Sequence, residues 1–173
     1  LARILPATGD VQMIVTPNRS QILFHTAQID LISRLIEGTY PNISSMLPKS
    51  YMTRAIIETK EFSAALKSLT PFAQGNSNIT HLKISGNEQA DRGSLIIEAS
   101  TEEIGANVSR IDAAIDGPAQ ELLFNIKYLA SVLSVIDTPQ VALEVASKTR
   151  PGLLRAVGAI DAQYVIMPMT VNR

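Results

Sequence analysis

The chain has 173 residues, 46% of them hydrophobic and 18% charged, with a formal net charge of −1. That is enough for one ordinary domain or two small ones with a real core, which excludes a disordered chain. The near-neutral balance excludes a global basic field, so any nucleic-acid surface must be a local arrangement. The absence of cysteine excludes disulfides, thiolate metal sites and thiol catalysis, and suits a reducing cytosol.

In chain order, residues 1–5 read as the end of a helix stopped by Pro6. Because the first residue is Leu1, the chain is expected to be a fragment of a longer protein. Strands are predicted over 11–16, 21–26 and 30–36, with a turn at Pro17-Asn18-Arg19-Ser20. Ile4, Leu5, Ile22 and Phe24 are expected on an uncovered face. Residues 41–50, with two prolines and three serines, suit a connector between domains. Its Ile43, Met46 and Leu47 imply that it is packed rather than free.

A strand over 51–58 leads into a helix over 59–72, where Phe62, Ala65, Leu66 and Leu69 recur at helical spacing. Thr59 is the expected N-cap, and Pro71 with the run from Gly75 to Asn78 is expected to end the helix. Strands follow at 79–85, 94–100 and 104–115, the last with a predicted bulge at Gly105. The pattern then repeats: a strand over 121–124, a helix over 126–136 capped by Asn125, and strands over 141–146, 153–159 and 164–171. Residues 51–116 and 121–171 are thus two copies of strand-helix-strand-strand-strand, and residues 1–40 are the back part of a third. The fold class is α+β, with helices on one face of antiparallel sheets. Pro168 in the last strand requires a sheet edge or a strand end, since proline cannot donate to a ladder.

Four stretches then carry a resemblance. They are the run from Arg34 to Asn42 (Arg-Leu-Ile-Glu-Gly-Thr-Tyr-Pro-Asn), Met46-Leu47-Pro48, Phe124-Asn125-Ile126-Lys127-Tyr128-Leu129, and Tyr164-Val165-Ile166-Met167-Pro168-Met169. In that order and spacing the chain resembles the bacterial sliding clamp, the beta subunit of DNA polymerase III. The resemblance implies the DNA-clamp fold and a two-subunit ring that encircles duplex DNA in the cytoplasm without reading its sequence. Such a ring is a non-catalytic processivity factor of DNA replication, with no cofactor, metal or membrane partner. It implies that 1–40 is the second half of the middle domain, 41–50 the interdomain connector and 51–173 the C-terminal domain.

The resemblance also implies a groove for short linear motifs of DNA polymerase III and clamp-loader subunits, at Pro41, Ser45, Met46, Asn125, Tyr128, Thr149, Pro151, Val165, Ile166, Met167, Pro168, Met169 and Thr170. Ser45 and Thr170 stand where some members carry arginine. It implies DNA-facing positions at Arg3, Lys60, Lys67 and Lys127, and a homodimer interface at Pro71, Phe72, Glu98, Glu102 and Glu103. The residues themselves leave two rivals open. One is a small-molecule enzyme using the apolar groove as its active site, and the other is a β-rich structural interaction domain. A hydrolase built on His25 and Asp30 lacks the Gly-x-Ser-x-Gly elbow, and two histidines without cysteine make a poor zinc site.

Overall fold

The computed structural model describes Ile4 and residues 9–40, 42, 47–48, 50–87, 90–158 and 162–170. The side chains of 87 and 90–92 are not described. The predicted helix at 1–5 lies outside these residues, apart from Ile4 in a turn. The chain divides into two compact units, Leu1–Asn42 and Ile43–Arg173.

In the first unit the described strands are β1 (Gln12–Val15), β2 (Gln21–His25) and β3 (Asp30–Arg34), paired antiparallel in the order β1-β2-β3. The β1–β2 turn is tied by Asn18, whose Oδ1 accepts from the Thr16 and Ser20 hydroxyls at 2.8 Å each, while Arg19 takes φ 53. Of the expected exposed set, Ile4 is exposed, Leu5 lies outside the described residues, and the two β2 positions are corrected. Ile22 and Phe24 are half-buried because β2 is flanked on both sides, while Met13, Ile14, Val15 and Ile32 on the outer strands are exposed.

The second unit begins its regular structure with β4 (Thr53–Glu58), α1 (Thr59–Gln74), β5 (Ile79–Asn87), β6 (Ala90–Thr101) and β7 (Gly105–Asp116). It repeats the order with β8 (Gln120–Asn125), α2 (Ile126–Leu133), β9 (Gln140–Val145), β10 (Gly152–Ala156) and β11 (Gln163–Ile166). All eight strands form one antiparallel sheet in the order β11-β10-β9-β4-β7-β6-β5-β8.

The repeat extends to individual hydrogen bonds. The first helical N–H of one copy, on Thr59, donates to the Pro139 carbonyl at 2.8 Å. Its counterpart on Ile126 donates to the Asn78 carbonyl, also at 2.8 Å. Glu58 pairs with Gln140 and Asn125 with Ile79, so each copy's helix start is stitched to the other copy's second strand.

Strand alternation sends Ala55, Ile57, Leu82, Ile84, Leu95, Ile97, Leu122, Phe124, Val141 and Leu143 to one face. There they meet Phe62, Leu66 and Leu69 of α1 and Ile126, Leu129 and Leu133 of α2. Both helices therefore lie on one face of the sheet, and their outward sides carry Lys60, Lys67 and Lys127, all exposed.

Several local expectations are corrected. Glu58 is the N-cap of α1 and makes no side-chain cap; Thr59 is already helical, with its hydroxyl buried and unpartnered. Pro71 lies inside α1 rather than ending it, and the packing of Phe72 and Ala73 against the core holds the final turn in place. Gly105 sits at φ 96 where β7 leaves its turn, and the register irregularity falls instead between Gly86 and Asn87. α2 stops at Leu133, although Ile136 beyond it remains buried.

Candidate functional site

β11 is an edge strand that stops at Ile166, two residues before Pro168, so the proline falls where the strand leaves the sheet. The chain then returns to the far edge of the same sheet, where the Met169 N–H donates to the Leu123 carbonyl of β8 at 2.7 Å. Two residues on, Asn125 closes β8 and caps α2, its Oδ1 accepting from the Lys127 N–H at 3.0 Å. Such a cap satisfies a donor that has no partner within the helix.

This one end of the unit gathers most of the described candidate groove residues. Tyr128, in the first turn of α2, is 62% exposed, Met167 is 53% exposed and Val165 is 39% exposed. Pro168, Met169 and Pro151 are half-buried, and Thr170 is exposed. Gly152, next to Pro151, pairs directly with Ile166. Thr149 is exposed in the β9–β10 loop, where the Ser147 hydroxyl accepts from the N–H groups of Thr149 and Arg150. Ile166 points into the core, so it offers backbone rather than side chain at this site. Pro41, Ser45 and Met46, and the DNA-facing candidate Arg3, lie outside the described residues.

The three candidate interface glutamates are not one cluster. Glu98 sits mid-strand on β6, where Lys83 Nζ contacts its carboxylate at 2.9 Å and His81 Nδ1 lies at 3.8 Å. The hydrogen bond that Lys83 donates to Glu98 holds the ammonium above its ordinary pKa of 10.5, against a smaller opposing effect of burial. Glu102 and Glu103 are exposed in the β6–β7 turn and line an open cavity of about 570 Å³ with Gly75, Asn76, Ser100 and Thr101. Beside them, β4 pairs only with residues 113–116 of β7, which leaves residues 105–112 a free edge on that side among the described strands. Val108 on that edge and Ile104 before it are exposed. Pro71 is exposed and Phe72 half-buried on the last turns of α1.

The enzyme reading requires titratable groups that converge. Among the described residues no three His, Asp or Glu side chains are arranged to hold a metal. His25 contacts Asp30 at 2.5 Å on the exposed surface of the three-stranded sheet, with no serine hydroxyl bonded to it among the described residues. At the end of β11 the side chains on offer are apolar ones, an amide and a phenol. No described helix is long and apolar enough to cross a membrane.

This doubled strand-helix-strand-strand-strand arrangement superposes on solved DNA polymerase sliding clamps. The Bacillus subtilis clamp superposes with TM-score 0.78 at 28% identity, over 99% of this chain and 44% of that one. The Pseudomonas aeruginosa clamp gives TM-score 0.79 at 24% identity, over 98% of this chain and 44% of that one, a likeness of fold. Residues 44–170 match the family model of the DNA polymerase III beta subunit, C-terminal domain, and the chain belongs to that family.

Among curated relatives, the beta sliding clamp of Synechococcus elongatus is 26% identical over 173 residues, 99% of this chain and 45% of the relative. That of Streptomyces coelicolor is 32% identical over 146 residues, 81% of this chain and 37% of the relative. The chain therefore spans less than half the length of either relative.

Proposed function

We propose that the chain is part of a sliding clamp, a non-catalytic ring around duplex DNA in the bacterial cytoplasm that tethers DNA polymerase III and clamp-loader subunits through a peptide groove. In this reading residues 1–40 are the back half of a middle domain, 41–50 the connector and 51–173 the C-terminal domain. Lys60, Lys67 and Lys127, with Arg3, face the phosphate backbone without reading bases. Pro71, Phe72, Glu102 and Glu103, with Glu98 behind them, border a homodimer contact at the free edge of β7.

One observation carries the groove: Tyr128, Val165 and Met167 are large side chains left exposed on the elements that meet where the chain after β11 reaches β8. Methionine and tyrosine around an unfilled strand end suit an inserted Leu or Phe of a linear motif. The Asn125 amide and the backbone near Met169 provide polar partners for the peptide. Each fully buried Leu or Phe contributes about 1.5–3 kcal/mol. Two anchors, less the cost of ordering a flexible peptide, give a dissociation constant on the order of micromolar.

The test is a titration of a labelled clamp-binding peptide against the chain and against Met167→Asp. Met167 is 53% exposed, so the variant is expected to fold, yet its carboxylate would be unpaired in the apolar contact. Loss of binding is expected, and equal affinity for the two proteins would falsify this placement of the groove.

A further inference from the structure

Opposite the helices, the sheet carries an in-register row across four strands: Arg54 of β4 faces Glu144 of β9, Glu144 faces Leu153 of β10, and Leu153 faces Val165 of β11. In the next row Arg155 faces Gln163. Alternation therefore sets Arg155 on the same face as Val165 and diagonal to it, a separation of about 7–8 Å between backbones that a long side chain spans.

The Glu144 carboxylate is engaged from both sides, by Arg54 Nε at 3.5 Å and Arg155 Nε at 3.2 Å. Two guanidiniums against one carboxylate leave the group net positive. The exposures sharpen this, because Arg155 keeps 41% of its side chain accessible and Glu144 only 13%. An arriving ligand meets the guanidinium first. The Arg155 Nε is buried and forms no hydrogen bond, so its contact with Glu144 is an ion pair that leaves the outer N–H groups of the guanidinium for a second carboxylate. An open cavity of about 410 Å³ borders Arg155 and Glu144, with Ser50 and Tyr51 on its wall.

Resting on the groove reading above, we infer that Arg155 is a specificity residue for the partner peptide: it takes an acidic side chain of the segment whose apolar anchor sits on Val165 and Met167. The partner is thus an acidic-apolar linear motif rather than a purely apolar one. Arg54 holds Glu144 from the other side, so that Arg155 is not fully neutralised.

The experiment uses the full 173-residue chain and capped hexapeptides with a Leu-Phe anchor pair. A single Asp is walked through the other four positions, each peptide matched by its Asn counterpart, and binding is read by fluorescence anisotropy. In at least one position Asp is expected to bind about tenfold tighter than Asn at low ionic strength, a charge-assisted contact. In Arg155→Gln that preference collapses while the Asn peptides bind as before, and Arg155→Lys retains part of it. Equal binding of Asp and Asn peptides at every position, or a preference that survives Arg155→Gln, overturns the inference.

Should Arg155→Gln fail to fold, the unaltered chain still decides. The Asp advantage must shrink as salt rises while the Asn affinity holds, and an advantage indifferent to salt rules Arg155 out. The parent reading fails separately. If Asn peptides bind the chain as well as they bind Met167→Asp, the groove itself is misplaced, whereas loss in that variant without an Asp advantage removes only the role of Arg155.

Discussion

The Met169 N–H and the Leu123 carbonyl, 2.7 Å apart, join the two outer strands' ends of an otherwise open sheet. In the first copy of the repeat the equivalent junction is a ladder, with β4 and β7 paired from Arg54↔Asp116 to Ile57↔Ala113. In the second copy β11 stops at Ile166, Pro168 has no N–H to offer, and one bond replaces the ladder. The candidate groove thus lies where the repeat leaves its own pairing unmade. Backbone groups and apolar side chains that the first copy consumes internally stay available to a ligand here.

Gly152 fixes the floor of this region. A Cβ at that position would lie 2.8 Å from Cζ of Phe124, a fully buried ring with no room to turn aside. Gly152→Ala is expected to destabilise the second unit by about 1–3 kcal/mol through overpacking. Urea unfolding would register this as a lower midpoint with an unchanged slope. A variant as stable as the parent would mean that the β10–β11 register next to Phe124 is looser than described.

Asn125 is expected to serve two roles that substitutions separate. Asn125→Ala removes the acceptor for the Lys127 N–H and should cost about 1 kcal/mol. Asn125→Asp keeps the acceptor and should restore stability, but it loses the amide donor. If that amide holds the peptide, thermal denaturation will rank Asp near the parent while peptide titration ranks it with Ala. Parent-like binding by the Asp variant removes Asn125 from the groove.

The repeat was legible because each copy carries its own punctuation: Phe62, Ala65, Leu66 and Leu69 on one helix, and Asn125 with Ile126, Leu129 and Leu133 on the other. Edges of elements were less so. Pro71 reads as a stop in any local rule, yet Phe72 and Ala73 beyond it are held by the core, a tertiary effect that the sequence does not advertise. Val165, Ile166 and Met167 are candidates through the motif alone, and the motif does not tell that strand alternation turns the Ile166 side chain inward while Val165 and Met167 stay exposed. Arg54, Glu144 and Arg155 gave no signal at all, since three separate strands bring them together only through register.

On DNA, Lys60, Lys67 and Lys127 are the exposed basic residues of the two described helices, and Glu61 is exposed among them. Three or four neutralised phosphates give a slope of log affinity against log salt no steeper than about −3 to −4. The chain is therefore expected to be lost from duplex DNA near physiological salt, with no preference for sequence. Anisotropy over a salt series measures both, and replacing Lys60 and Lys67 with Gln should flatten the slope by about 2. Tight, sequence-dependent binding would contradict the clamp reading.

The two units should differ in stability. Among described residues the first unit has no buried apolar side chain, and its one buried residue is Thr26. The second unit buries a continuous cluster from Ala55 to Ile166. A three-stranded sheet with so little burial opens readily, because local stability follows buried apolar contact. Amides of β2, the central strand of the first unit, are expected to exchange much faster than those of β4 and β9 in the second. Removing residues 1–42 should leave the main thermal transition within a few degrees of its original position, since a loss of about 1 kcal/mol would move it by about 2–8 °C. A truncated chain that fails to fold, or β2 amides as protected as those of β4, would show that the second unit relies on the first for its core.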